Sequence, residues 1–119
     1  MPENKLGVME SRFADIVWEH QPLSSGALAK LCAEQLNWKR TTTYTVLKKL
    51  CDRGLFQNEQ GTVRALLTRE EFYAAQSRQF VADTFAGSLP AFVAAFSSRQ
   101  KLSADEIDQL QQMIDEMRR

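Results

Sequence analysis

The segment from Trp38 to Gly61 contains the residues with the most distinctive chemistry in this chain. It reads WKRTTTYTVLKKLCDRGLFQNEQG, a pattern typical of a basic helix that ends at a glycine and is followed by a short hairpin. Between Lys39 and Arg53 there are five basic side chains and one acidic side chain, an excess of four positive charges. Because a phosphate backbone is the natural complement of such a cluster, the segment indicates binding to nucleic acid.

The predicted helix has two distinct faces at 3.6 residues per turn. The residues expected to pack inward are Thr43, Val46, Leu47 and Leu50. The candidates for contact with DNA are Arg40, Thr41, Thr42, Tyr44, Thr45, Lys48 and Lys49. The alternative interpretation is a polar face that is merely solvated. The three adjacent threonines make this alternative less favourable, because β-branched residues are mediocre helix formers and a solvated face would not need them. The hydroxyl and methyl groups of threonine can, however, approach bases and phosphates closely.

Two shorter helices are predicted before this one. The apolar side of the first consists of Met9, Phe13, Ile16 and Val17, and this helix must end before Pro22. Trp18 is expected to anchor it in the core. Either Ser24 or Ser25 can cap the second helix, and Asn37 is a plausible end signal. Two closely joined helices, of which the second is basic, predict a helix-turn-helix.

A β-hairpin, or wing, is predicted directly after the basic helix. Leu55–Phe56 begin a strand, Gln60–Gly61 supply a turn, and Thr62–Leu67 form the returning strand. The apolar end of the returning strand is expected to continue into the core. Arg64 is a candidate for phosphate contact, with a solvated arginine as the alternative.

The remaining third of the chain predicts three helices, the first and last of which begin at capping boxes, Thr68–Glu71 and Ser103–Glu106. Their apolar side chains exceed what three short helices can bury within one subunit, so we expect a homodimer. The alternative is that this region folds back onto the first part of the same chain. The residues expected at the dimer interface are Phe80, Phe85, Leu89, Phe92, Val93, Phe96, Ile107, Leu110, Ile114 and Met117.

Length and charge set limits on these interpretations. The chain has 119 residues, of which 44% are hydrophobic, and its 15 basic and 15 acidic side chains give no net charge. Residues 1–68 hold nine basic and seven acidic side chains, whereas residues 69–119 hold six and eight. We therefore predict a mainly α fold with a small β-wing: a winged helix-turn-helix domain over residues 1–68 and a helical dimerisation region over residues 69–119. A winged-helix module that binds a protein instead of DNA is the alternative function.

Other functional classes find little support. Cys32 and Cys51 are expected to be structural thiols of a cytoplasmic protein, because neither has a neighbouring cysteine or histidine. His20, the only histidine, is expected at a helix end on the surface. No spacing suits a nucleophile with its base, a zinc site or a phosphate loop, so we expect no enzyme, cofactor or metal. No stretch is long and apolar enough for membrane insertion.

Taken together, the runs VMESRFADIVW, LSSGALAKL, RTTTYTVLKKLCDRGL and SADEIDQLQQMIDEM resemble the penicillinase and methicillin-resistance repressors and their copper-responsive relatives. The most specific parts are the threonine-rich helix and the G-S-x-x-x-x-V-x-x-F motif from Gly87 to Phe96. The resemblance implies a dimeric winged-helix repressor of a palindromic DNA operator, joined through three C-terminal helices. It also implies that Thr41, Thr42, Tyr44 and Thr45 lie near bases or phosphates, that Lys48 and Lys49 lie near the backbone, and that Arg64 lies in the wing.

Two departures from these relatives concern regulation. The antibiotic-responsive members are inactivated when a membrane sensor protease, or a pathway that it starts, cuts an Asn-Phe bond in the middle C-terminal helix. The matching bond here is Ala95-Phe96, which makes it a candidate cleavage site with an altered signal and the protease a candidate partner. The copper-responsive members end in paired cysteines that bind Cu(I). Since this chain has no cysteine after Cys51, we expect no copper sensing by that route.

Overall fold

The computed structural model describes residues 5–119, which form six α-helices and one three-stranded antiparallel sheet. The elements are α1 (Val8–His20), β1 (Leu23–Ser24), α2 (Ser25–Leu36), α3 (Arg40–Asp52), β2 (Phe56–Glu59), β3 (Thr62–Ala65), α4 (Arg69–Phe85), α5 (Leu89–Ser97) and α6 (Ala104–Met117). The predicted class, mainly α with a small β-wing and three C-terminal helices, is confirmed. The chain divides into two compact units, one up to Gln79 and one from Phe80 onward. The predicted division after residue 68 falls at the start of α4, whereas the two units divide within that helix.

The first unit is built around one apolar core, whose buried members from α1 are Phe13, Ile16 and Val17. Met9 is 40% exposed, so the first turn of α1 contributes less to the core than its periodicity predicts. Trp18 is half-buried, and its indole Nε1 donates a hydrogen bond to the Leu67 carbonyl oxygen at 3.0 Å. Its ring packs edge-on against a second core aromatic, the buried Phe56 of β2, with ring centroids 5.7 Å apart.

The helix-turn-helix consists of α2 and α3. Ser24 is the N-cap of α2, since its Oγ accepts a hydrogen bond from the Ala27 amide at 3.0 Å. Asn37 ends α2 in the left-handed conformation with φ 57°, and Gly54 does the same after α3 with φ 86°. Both end signals confirm the prediction from the sequence. Only Trp38 and Lys39 then separate Asn37 from the start of α3.

The sheet contains the predicted wing and one strand that was not predicted. Gln60 and Gly61, with φ 51° and 86°, form a two-residue turn between β2 and β3, where Glu59 pairs with Thr62. Leu23 of β1 pairs with Val63 of β3; a two-residue strand is too short for its sequence to show alternation. The prediction that the returning strand extends to Leu67 is wrong: β3 ends at Ala65, and Leu66 is 54% exposed.

The second unit comprises the last residues of α4 together with α5 and α6. Ser88 caps α5 by accepting the Ala91 amide at 3.1 Å. Ser103 caps α6 by accepting the Glu106 amide at 3.1 Å, as its capping box predicts. Rings of α4 and α5 pack against each other here, with centroids 5.6–6.0 Å apart between Phe80, Phe85 and Phe92. No residue of α5 or α6 is fully buried. This unit therefore leaves most of its apolar surface uncovered within one chain.

Thr43 is the one buried polar residue in the core of the described chain, and it provides a test of the inward face of α3. Its hydroxyl lies beside the buried Cys32 thiol and has no hydrogen bond of normal geometry to the residues described. We expect Thr43→Val to change the free energy of unfolding by less than about 1 kcal/mol, because little hydrogen bonding is lost and the shape is kept. Urea unfolding followed by tryptophan fluorescence measures this; a loss above about 2 kcal/mol would show that the hydroxyl has an essential partner.

Candidate nucleic-acid interface

The two faces of α3 are as different in the structure as in the sequence. Thr43, Leu47 and Leu50 are at most 2% exposed and hold the helix against the core. All seven residues predicted to contact DNA from this helix are exposed, namely Arg40, Thr41, Thr42, Tyr44, Thr45, Lys48 and Lys49. A rigid helix therefore presents a basic, hydroxyl-rich surface to solvent. This is the arrangement in which the second helix of a helix-turn-helix enters a major groove.

Arg40, the first residue of α3, is held at the start of this surface. Its guanidinium carbon lies 5.9 Å from the centre of the Tyr44 ring, within the range of a cation–π contact. On its other side lies the first turn of α2, where a Cβ added to Gly26 would be 3.7 Å from Arg40 Nη2. No carboxylate among residues 5–119 forms an ion pair with Arg40. The fork of donors on this side chain thus remains available to an acceptor outside the protein.

Thr45 already uses its hydroxyl proton within the helix, since Oγ1 donates to the Thr41 carbonyl oxygen at 2.9 Å. Its hydroxyl lone pairs and its methyl group remain available for contact with a ligand. The exposed threonines can therefore offer short acceptors and small apolar groups, the chemistry required at base edges and thymine methyl groups.

Lys48 and Lys49 differ sharply in their surroundings. Lys48 Nζ lies 3.1 Å from Asp52 Oδ2 one turn later on the same helix, and both side chains are largely exposed, at 79% and 67%. Lys49 Nζ lies 2.8 Å from Oε2 of Glu10 on α1, whose side chain is only 21% exposed. The hydrogen bond from Lys49, followed by that from the Gly7 amide, lowers the pKa of Glu10, although burial acts in the opposite direction. No local pattern of residues predicts this pairing between α1 and α3.

The wing and α2 are joined at the turn of the hairpin. The Ser25 amide donates to the Gly61 carbonyl oxygen at 2.8 Å, which fixes the turn beside the first residue of α2. Arg64 is exposed in the middle of β3, opposite Gln57, while its neighbour Val63 is buried. Strand alternation thus directs Arg64 away from the core. Its contact with phosphate stays a prediction.

The predicted dimer residues of the second unit form a mostly exposed apolar surface. Seven of them are 41–64% exposed, and Met117 is 75% exposed; these eight are Phe80, Leu89, Val93, Phe96, Ile107, Leu110, Ile114 and Met117. Phe85 and Phe92 are half-buried by their own unit. A groove of about 310 Å³ lies between α5 and α6, and its walls include Leu102 and Met113, which the prediction omitted. Helical spacing could have identified Met113, because it lies three residues after Leu110 on the same face.

The candidate cleavage bond, Ala95-Phe96, lies near the end of α5. Both residues are exposed, and Phe96 is 64% exposed. Both residues belong to α5. They lie between Val93 and Ser97, whose Oγ donates a hydrogen bond to the Val93 carbonyl oxygen at 2.8 Å. Cleavage of this bond stays a prediction.

The residues considered for other chemistry occupy ordinary positions. His20 is exposed as the last residue of α1, and its Nδ1 lies 2.9 Å from the Ile16 carbonyl oxygen. Burial raises the pKa of both Cys32 and Cys51, which keeps these thiols protonated. Within residues 5–119 there is no cluster of histidine, cysteine and acidic residues suited to a metal ion. No single helix among the described residues is long and apolar enough to cross a bilayer. Only α4 and α5 counted together, as a bent pair, reach the length and apolar composition of a membrane span.

An exposed basic helix, a helix-turn-helix and a short wing together define a winged-helix protein with a second helical unit. Comparison with known proteins agrees with this class. The family model described as "Penicillinase repressor" matches residues 6–116, and the chain belongs to this family of transcriptional repressors. A protein named penicillinase repressor from Bacillus licheniformis is 24% identical over 105 residues, which cover 85% of this chain and 82% of that protein.

Proposed function

We propose that this protein is a cytoplasmic DNA-binding transcriptional repressor that acts as a homodimer on a palindromic operator. The observation that supports this most directly is the outer face of α3, where Arg40, Lys48 and three threonines are exposed while Thr43, Leu47 and Leu50 are buried behind them. The exposed threonines are Thr41, Thr42 and Thr45. A face of this kind matches the charge of a phosphate backbone and the donors and acceptors of a major groove. Occupying an operator would exclude polymerase from the promoter.

On DNA, α3 lies in the major groove of each half-site. Its N-terminal residues approach the bases most closely in helix-turn-helix proteins, so Arg40, Thr41, Tyr44 and Thr45 are the side chains proposed to read sequence. Thr42 and Lys48, which lie on different sides of this face, are proposed to contact phosphates beside the groove. Arg64 of the wing is proposed to contact a phosphate on the adjoining backbone.

A homodimer is supported by the uncovered apolar surface of the second unit. Large continuous apolar patches on the surface are unusual in monomers and typical of protein interfaces. α6 contributes a continuous stripe to it, formed by Ile107, Leu110, Met113, Ile114 and Met117, each at least 41% exposed. A two-fold dimer presents two copies of α3 to two half-sites, which converts two modest affinities into one strong one.

The decisive experiment is a titration of the full chain against its own upstream intergenic DNA at several salt concentrations, with a scrambled duplex of equal length as the control. Specific binding whose affinity falls steeply with salt is the expected result. No binding to either duplex at low salt would refute the proposal and favour the winged-helix module that binds an acidic protein.

Lys48→Ala is expected to weaken binding to the operator and to the scrambled duplex by the same factor. Loss of one phosphate contact per protomer should make the salt slope shallower by roughly 0.9 per protomer. Anisotropy titrations over a range of salt concentrations measure the slope. Lys101→Ala, the same charge change in the exposed segment before α6, is the matched control and should leave the slope unchanged. An unaltered slope in the Lys48 variant would remove this residue from the contact surface.

Proteolytic relief of repression is the regulatory part of the proposal. A protease acts on extended chain, so cutting Ala95-Phe96 requires local opening of the last turns of α5. That opening is favoured by the exposure of this helix, none of whose residues is fully buried. Cleavage there would divide the apolar surface and separate the two protomers. A membrane sensor protease, or a pathway that it starts, is the candidate agent.

A further inference from the structure

The two adjacent lysines of α3 are not equivalent, although their sequence suggests equal roles. We propose that Glu10 is a positioning residue that holds Lys49 against α1, so that Lys48 supplies the phosphate contact and Lys49 is withheld from it. This inference rests on the proposed DNA-binding function and deepens it, because it concerns which cations of α3 reach the duplex. It revises the expectation that both lysines contact the backbone.

The first support is the way in which Glu10 is fixed. Its Oε1 accepts the backbone amide of Gly7, the N-cap residue of α1, at 3.0 Å, and its Oε2 accepts Lys49 Nζ at 2.8 Å. Each oxygen therefore has its own partner, and the carboxylate cannot follow Lys49 toward a ligand without giving up the cap. The side chain of Glu10 is only 21% exposed, whereas that of Asp52 is 67% exposed. Dissolved salt therefore weakens the attraction between Glu10 and Lys49 less than the attraction between Asp52 and Lys48.

The second support is the position of Lys49 around the helix. Lys49 is about 100° from Lys48 and so belongs to the flank of α3 that faces α1. One turn later on that flank, Arg53 Nη2 donates to the Lys5 carbonyl oxygen at 2.6 Å. Two basic side chains thus tie the same flank of α3 to α1 and to the residues just before it. By contrast, the partner of Lys48 is on α3 itself, in an exposed pair of the kind that contributes little and exchanges readily.

The consequence for DNA binding is a limit on the number of phosphates that α3 can neutralise. As long as Glu10 retains Lys49, each protomer uses one of the two lysines. Removing the negative charge of Glu10 should release Lys49 to a phosphate and increase the affinity. The negative side chain then acts as a restraint on non-specific binding, which depends on phosphate contacts alone.

The experiment compares four full-length proteins: the wild type, Glu10→Gln, Lys49→Ala and the double variant. Glutamine retains an oxygen that can accept the Gly7 amide, so the cap of α1 is kept; thermal unfolding followed by circular dichroism checks that each variant is folded. Salt titrations on the operator and on a scrambled duplex give the slopes. We expect Lys49→Ala to leave the slope unchanged, and Glu10→Gln to steepen it by roughly 0.9 per protomer and to tighten binding several-fold at low salt.

The double variant separates release of Lys49 from a general effect of charge. We expect it to have the slope of Lys49→Ala, because no lysine is left to release. If Glu10→Gln steepens the slope equally with and without Lys49, long-range charge explains the effect and the proposal is wrong. It is also wrong if Lys49→Ala flattens the slope as much as Lys48→Ala does. Absence of wild-type binding to either duplex would instead refute the proposed function, and this inference with it.

Discussion

Changing both Leu110 and Ile114 to Asp is expected to convert the proposed dimer to monomers and to weaken operator binding by about 10²-fold to 10⁴-fold. Both side chains lie on the exposed apolar stripe of α6, at 41% and 48% exposure, and two carboxylates there would have to be desolvated in any interface. Sedimentation equilibrium measures the association, and titration of the palindrome measures the affinity. Half-site affinity should persist, because α3 belongs to the other unit.

The matched control adds two negative charges to α6 at positions outside the apolar stripe. Gln111 and Gln112 bond along the helix to Asp115 and Glu116, so Gln111→Glu combined with Gln112→Glu tests charge without touching the apolar stripe. That variant should remain dimeric. If the Leu110 and Ile114 double variant also sediments as a dimer, the stripe on α6 is not the interface.

Phe56→Ala is expected to cost about 3–5 kcal/mol in the free energy of unfolding of the first unit. Phe56 is 1% exposed, and its ring packs against Phe13 and Trp18 with centroids 6.4 and 5.7 Å apart. Its loss would leave a cavity where the wing meets α1. A small domain has a total stability of about 5–15 kcal/mol, so the unit that contains α3 would be marginal. DNA affinity should fall with the folded fraction.

Urea unfolding followed by tryptophan fluorescence measures this effect selectively, because both tryptophans of the chain, Trp18 and Trp38, belong to the first unit. Gln57→Ala is the control, since Gln57 is the next residue of β2 and is exposed. It should change stability by less than about 0.5 kcal/mol. A similar loss in both variants would mean that the strand, and not the buried ring, determines the stability.

Local features of this fold follow closely from local chemistry. The caps at Ser24, Ser88 and Ser103 and the helix ends at Asn37 and Gly54 were all predictable, because each depends on a side chain or a backbone conformation within about four residues. The two faces of α3 were predictable for the same reason, since helical periodicity alone separates Thr43 and Leu47 from Lys48.

Other features were missed because they depend on segments distant in the chain. β1 is defined only by its pairing with β3. The returning strand was expected to reach Leu67, but β3 ends at Ala65 and Leu66 is exposed. Where the chain divides into two compact units also depends on contacts between distant segments. Phe72 is buried in the first unit, whereas Phe80 packs on aromatic rings of the second, and periodicity within one helix does not reveal where its environment changes.

The sequence by itself determined a basic, threonine-rich helix, the short wing behind it and an apolar C-terminal third, because residue type and spacing are sufficient to specify helices, turns and the faces that they expose. Only the tertiary structure distinguished Lys48 from Lys49. Their surroundings differ because α1 brings Glu10 to within 2.8 Å of Lys49, whereas the partner of Lys48 is Asp52 of the same helix. Such a contact joins residues 39 positions apart, and no local pattern encodes it.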